Sequence, residues 1–207
     1  MSITITATAY GSPSPFPAKW PNDLTNGDFL IHHHASQPKL TGTGEDEETT
    51  WTFNFAGDHN FPFFSPSRPL SSALLTLTLE PKNYQRTNDA VGLQALGALG
   101  GSAAPLPELN LPTHVISTIR LQLLDRTAKY TSSAILGVLF GAGGGQVAMT
   151  YNDDALISMA KLELIQESPA FQYAAKFVCG KSAGHIVAPG VYFTAVNVHN
   201  PKYEECN

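Results

Sequence analysis

The sequence predicts an all-β protein: a jelly-roll-like β-sandwich with one short helix and a C-terminal β-hairpin. Three observations carry that expectation. Short segments alternate apolar and polar side chains, so each has one face suited to a core and one suited to water. Clusters of Pro, Gly, Asn and Asp separate these segments and supply the backbone conformations that turns require. Only Ser132 to Phe140 reads as a helix, with Ile135, Leu136, Val138, Leu139 and Phe140 as its apolar content and Gly141 as its stop.

The elements follow in order. Ser2 to Tyr10 places Ile3, Ile5, Ala7 and Ala9 on one face, with Ser2, Thr4, Thr6, Thr8 and Tyr10 on the other. It runs into Gly11, Pro13, Pro15, Pro17 and Pro21, a stretch that cannot pair as a central strand because proline has no N–H to donate. A strand tethered by a stiff linker is therefore expected over residues 1–21, a β-sandwich over 22–168 and a hairpin extension over 169–207. Phe29 to His32 is a short strand, and Gly42 to Glu48 an acidic loop. Trp51, Phe53 and Phe55 share a face, as do Ala73, Leu75, Leu77 and Leu79. Ala90 to Leu96 reads as one strand followed by a long loop. Val115, Ile119, Leu121 and Leu123 are expected on one side of the next strand, and Val147, Met149 and Tyr151 on one side of another. Ala155 to Leu164 is expected to point Leu156, Ala160, Leu162 and Leu164 inward. Tyr173 to Cys179 and Val191 to Val198 form the terminal hairpin, which is too small to hold a core of its own.

Composition bounds the function. The chain has 207 residues with 12 Lys+Arg against 17 Asp+Glu, a formal charge of −5, which lacks the basic footprint of a nucleic-acid binder. Charged residues are 14% of the total, against roughly 25% in ordinary soluble domains, which weakens the usual electrostatic defence against edge-to-edge association. No apolar run is long enough for a membrane-spanning helix, and no signal peptide is visible at Met1 to Tyr10. Cys179 and Cys206 are too few for a disulfide framework and have no CxxC partner.

Local motifs for chemistry fall short of their requirements. Gly180-Lys181-Ser182 resembles the end of a phosphate loop, but the upstream glycine such a loop needs is Ala175, and the tract lies between strands. The Gly141 to Gly145 tract lacks dinucleotide-binding spacing. His32, His33 and His34 have no metal-binding partner motif and read as a solvated run. No GxSxG elbow occurs and no paired carboxylates stand out, so no catalytic residue is assigned. Asp46, Glu47, Asp153 and Asp154 carry oxygen ligands of the kind Ca²⁺ takes, and are the candidate metal residues, although neither acidic segment matches the DxDxDG loop. Phe61, Phe63 and Phe64 form the loop cluster expected to touch a ligand such as a carbohydrate ring, while Trp51, Phe53 and Phe55 have the period of a core.

The tail CGKSAGHIVAPGVYFTAVNVHNP, Cys179 to Pro201, resembles the opening of an uncharacterised bacterial β domain with a Cys-Gly…Pro-Gly-x-Tyr-x-Thr-x-x-Asn-x-His-Asn-Pro pattern. In such proteins further strands follow this opening, and the resemblance implies no activity. Trp51 to Leu164 is similar in texture to accessory β-sandwich modules of bacterial surface and secreted proteins. Read literally, the chain is cytoplasmic or is exported by a route the sequence does not show, and an extracellular or cell-surface place is the favoured expectation.

The functional expectation is a non-catalytic structural subunit, not an enzyme, that assembles with copies of itself into a filament or surface layer. Ile3, Ile5, Ala7 and Ala9 would form its assembly strand, reaching a neighbour across the proline-rich linker; the equal alternative is that this strand folds back onto its own sandwich. The alternatives are a carbohydrate- or Ca²⁺-binding β-sandwich module and, third, an enzyme with no legible motif. No other cofactor is expected.

Overall fold

Alternation at Ser2–Tyr10 becomes a nine-residue strand, β1, that buries Ile5, Ala7 and Ala9. A computed structural model describes residues 2–13, 23–33, 40–82, 89–97, 104–105, 111–125, 130–141, 144–167, 172–176, 180–182, 190–192 and 195–199. After β1 come β2 (Asp23–Asn26), β3 (Phe29–His33) and β4 (Glu47–Asn54). A 3₁₀ turn at Phe61–Phe63 leads to β5 (Leu70–Pro81) and β6 (Ala90–Leu93). Then follow the single turn α1 (Gln94–Gly97), β7 (Ala104–Pro105), β8 (Ser117–Gln122) and α2 (Ser132–Leu139). The sandwich closes with β9 (Gln146–Asp153) and β10 (Ala155–Glu167).

Two antiparallel sheets result, ordered β1-β10-β5-β8 and β2-β3-β4-β9-β6-β7. Apart from the β2–β3 hairpin, the strands pair as a folded-over ribbon: β1 with β10, β4 with β9, β5 with β8 and β6 with β7. Additional ladders join β5 to β10 and β6 to β9. This nesting is the jelly roll that the sequence predicts. β2 is an addition: it pairs with β3 over Asp23 to Asn26, where the chain had shown no strand pattern.

The core divides its volume unequally. The β1 sheet contributes small and aliphatic side chains, including Ile5, Ala7, Ala9, Ala73, Leu75, Leu77, Ala160 and Leu162. The other sheet contributes Phe29, Trp51, Phe53 and Met149, with Phe55 just beyond the end of β4. Large rings against small side chains let the two layers interdigitate. The rings meet edge to face, with centroids 5.7 Å apart for Phe29–Trp51 and 6.1 Å for Trp51–Phe53. The helix covers one end, with Ile135, Leu136 and Leu139 buried and Thr131 Oγ1 accepting from the Ala134 N–H as N-cap.

Several expectations need correction. Residues 2–10 are not separate from the sandwich: the compact unit runs Ser2–Glu167, because β1 is one of its strands. Val115 is 48% exposed, since β8 begins only at Ser117 and His114 turns the chain with a φ of 57°. In β10 a register shift between Ile157 and Met159 reverses the inward face, so Ala155 and Ile157 join the core with Ala160, Leu162 and Leu164. Leu156 is buried outside that core, in contact range of Gly44 and Lys82. The strand expected over Ala90 to Leu96 ends at Leu93, where α1 begins.

Residues 168–207 form a second compact unit. Within it β11 (Gln172–Lys176) pairs with β14 (Ala195–His199), and β12 (Gly180–Ser182) pairs with β13 (Gly190–Tyr192). An antiparallel pairing of the two expected segments is present in β11 and β14, while β12 lies at Gly180–Ser182, where a loop was expected. Trp20, His34, Tyr84, Cys179, Cys206 and the run Pro15 to Pro21 lie outside the described residues.

Candidate functional site

β1 lies at one edge of its sheet and pairs with β10 along its whole length, from Ser2↔Glu167 to Tyr10↔Met159. An edge strand normally presents a row of backbone N–H and C=O groups to its surroundings. Here groups from neighbouring loops take part of that row, at Thr4, Thr6 and Tyr10. Asp58 Oδ2 accepts from the Thr6 N–H at 2.8 Å, and Asn60 Nδ2 donates to the Thr4 carbonyl at 2.9 Å. Asp28 Oδ2 accepts from the Tyr10 N–H at 2.8 Å, while its own N–H donates to the Tyr10 carbonyl at 2.8 Å. Asn26 then takes both polar groups of Ser12, accepting its N–H at 2.9 Å and donating to its carbonyl at 3.1 Å. Carboxylate and amide groups thus cap this edge at four points, Thr4, Thr6, Tyr10 and Ser12.

Two glycines permit the closeness of this arrangement. A Cβ on Gly11 would lie 2.8 Å from both the Asn26 carbonyl oxygen and Phe29 Cδ2. Gly27, at a φ of 63°, makes the two-residue turn between β2 and β3, and a Cβ there would run into the Tyr10 carbonyl oxygen. β1 therefore sits in a groove with β10 on one side, clasps on the other and the core beneath.

The expected assembly strand is consequently seated in its own body. Ile5 is 0% exposed, Ala7 and Ala9 are buried, and Ile3 is half-buried against the core. A strand tethered by a short linker meets its own groove at high effective concentration. In the single chain, own-groove pairing also avoids the entropic cost of association.

The acidic candidates come together at the end of the sandwich where β4 starts and β9 ends, since Glu47 and Asp153 are register partners. Glu47 is 1% exposed and closes the turn before it: Oε1 accepts from the N–H of Gly42 at 2.6 Å and Thr43 at 2.9 Å, and Oε2 from Gly44 at 3.1 Å. Burial pushes its carboxyl above the ordinary value, while these N–H groups and the Thr43 hydroxyl pull the other way. Asp154 is buried and accepts from the Asp46 N–H at 3.0 Å. Asp89, unsuspected in the sequence, accepts from the Tyr151 hydroxyl at 3.1 Å and the Asp154 N–H at 3.3 Å. Among the described residues no group of three His, Cys, Asp or Glu side chains has metal-holding geometry, and the Asp153 side chain lies outside them.

The loop aromatics separate into three environments. Phe64 is buried in the core, Phe61 stacks on Phe140 at 5.7 Å, and Phe63 is 65% exposed. They do not form one platform, because successive residues of a 3₁₀ turn point in different directions. His32 pairs with Asp23 across β2 and β3, with Nδ1 2.7 Å from Oδ1.

Sequence reasoning missed Asp58, Asn60, Asp28 and Asn26. A period-2 pattern identifies which residues face a core but not which loops close a strand's open edge. No helix among the described residues is long and apolar enough to cross a membrane. No protein-family model matches the chain. No curated protein matches its sequence.

Proposed function

We propose that this chain is a non-catalytic structural subunit that assembles with copies of itself by exchanging β1. One observation carries the reading: the groups that hold β1 belong to the body. They are the β10 ladder, the core beneath, and the Asp58, Asn60, Asp28 and Asn26 clasps. A second copy's β1 would meet the same set, so exchange preserves the contacts and changes only the path of the chain between Pro13 and Asp23. Low charge density and the proline-rich sequence there support the same reading. Exchange then depends on concentration, since the penalty to be met is the loss of translational and rotational freedom.

The test is a cross-link. The Thr6 N–H points away from β10, so Thr6 and Glu163 form a non-hydrogen-bonded pair, with Cα atoms about 4.5 Å apart, inside disulfide range. In a Cys179→Ser, Cys206→Ser background, Thr6→Cys with Glu163→Cys is refolded at rising protein concentration and oxidised. Disulfide-linked dimers and larger species that grow with concentration are the expected result. Cross-links confined to single chains at every concentration would overturn the proposal.

A further inference from the structure

We infer that the β2–β3 turn is the specificity-determining element of this exchange: Asn26, Gly27 and Asp28 admit the strand end Tyr10-Gly11-Ser12 of a second copy in one register. The identity of the partner rests on the exchange reading; the register argument stands on the geometry.

Alternation alone does not fix where a strand stops. A slip of two residues leaves every side chain of β1 on its original face, and the ladder to β10 would re-form. The turn discriminates. It contacts alternate residues as a paired strand would, through Asp28 on both polar groups of Tyr10 and Asn26 on both polar groups of Ser12. Between these two lies Gly11, whose N–H donates to the Ser158 carbonyl at 2.9 Å and whose missing side chain leaves room for Asn26 and Phe29. A slip one way brings Ala9 to this point, with a Cβ that would lie 2.8 Å from the Asn26 carbonyl. A slip the other way brings Pro13, which adds a ring and has no N–H for Ser158. The first slip also puts Ile5 at the buried place of the smaller Ala7, and the second puts Ala7 at the fully buried place of Ile5. The groove therefore selects this chain's own N-terminal strand, and the ten residue steps from Pro13 to Asp23 limit the span between donor body and receiving turn to roughly 35 Å.

The experiment keeps the full chain in the Cys179→Ser, Cys206→Ser background. Thr6→Cys with Glu163→Cys reports the native register, whereas Thr4→Cys or Thr8→Cys with Glu163→Cys reports the two slips. Without further change only the native pair should close. Gly11→Ala and, separately, Asn26→Ala should each slow closure of the native pair by about tenfold, the worth of one to two hydrogen bonds, and open a slipped pair. Asn26→Ala introduces no clash, so it tests the idea even where Gly11→Ala does not fold. Native-pair closure at the unmodified rate, or slower closure with no slipped product, would overturn the inference. Single-chain product reports the register and inter-chain product reports the exchange, so loss of the second alone would refute the exchange and leave the register element intact.

Discussion

The Thr6 N–H donates to Asp58 Oδ2 at 2.8 Å across 52 positions of sequence, and this bond joins the open edge of one sheet to a loop of the other. Asp58 also accepts from the Asn60 N–H at 2.8 Å, which orients Asn60 toward the Thr4 carbonyl. A carboxylate thus completes strand pairing where no strand is present. The opposite edge, β8, begins beside Val115 and Ile116, which are 48% and 53% exposed, and carries exposed Arg120.

Asp58→Ala should lower stability by about 1.5–3 kcal/mol, the range for a hydrogen bond to a charged group. It should also increase concentration-dependent association, because the β1 edge opens. Asp58→Asn keeps an acceptor and should lose less. Urea denaturation with light scattering on the three proteins measures both effects; equal stability for Asp58→Ala and the unmodified chain would contradict the clasp.

Ile5→Ala should cost about 2–5 kcal/mol, as expected for a fully buried side chain that leaves a cavity. Ile3→Ala should cost markedly less, since Ile3 only packs against the core from its margin. Denaturation midpoints at constant slope test the ordering, and equal losses would show that β1 is not seated as described.

Glu47 gives stability a pH dependence of definite sign. Its folded-state carboxyl binds a proton more tightly than it does in the unfolded chain. Its contribution is therefore full below the unfolded value and is lost as pH rises through the folded one. Glu47→Gln does not titrate, and its amide sets a donor against one of the three N–H groups of the turn, costing about 1–2 kcal/mol. The gap between the unmodified chain and Glu47→Gln should widen from neutral pH toward the ordinary glutamate value of about 4.3. Thermal melts at both pH values test this, and a gap that narrows on acidification would reverse the sign.

Gln166 is 0% exposed at the end of β10 and holds the turn before β5. Its Oε1 accepts from the Ser65 N–H at 2.9 Å, while Nε2 donates to the carbonyls of Ser65 at 2.7 Å and Arg68 at 2.6 Å. Gln166→Leu leaves the Ser65 N–H and the Arg68 carbonyl without this partner, while the Ser65 carbonyl keeps the Arg68 N–H at 3.3 Å, and should cost about 2–3 kcal/mol. Hydrogen exchange should show faster loss of protection at Ser65 than at Leu75.

Much of the fold was legible from residue order. The limits of β1 at Ser2 and Tyr10, the inward run Ala73 to Leu79 and the helix beginning at Ser132 follow from side-chain periodicity, which local backbone geometry imposes on any strand or helix. The buried pair Trp51 and Phe53 follows in the same way. Leu156 was misplaced because a bulge inserts a residue without leaving a periodic trace. In the sequence Glu47 is only a candidate metal ligand in an acidic loop, because the turn that satisfies its carboxylate becomes visible only when Gly42, Thr43 and Gly44 are folded around it.

Residue order alone makes this an all-β chain, marks which strands carry an apolar face, and sets a proline-rich stretch after the N-terminal strand. Tertiary structure decided that β1 completes its own sheet, that Asp58, Asn60, Asp28 and Asn26 close its edge, and that Gly11 meets Asn26. The reason is physical. Side-chain alternation is a property of neighbouring residues, whereas closing an edge brings together groups as far apart as Thr6 and Asp58, and only the packing of the two sheets selects that partner.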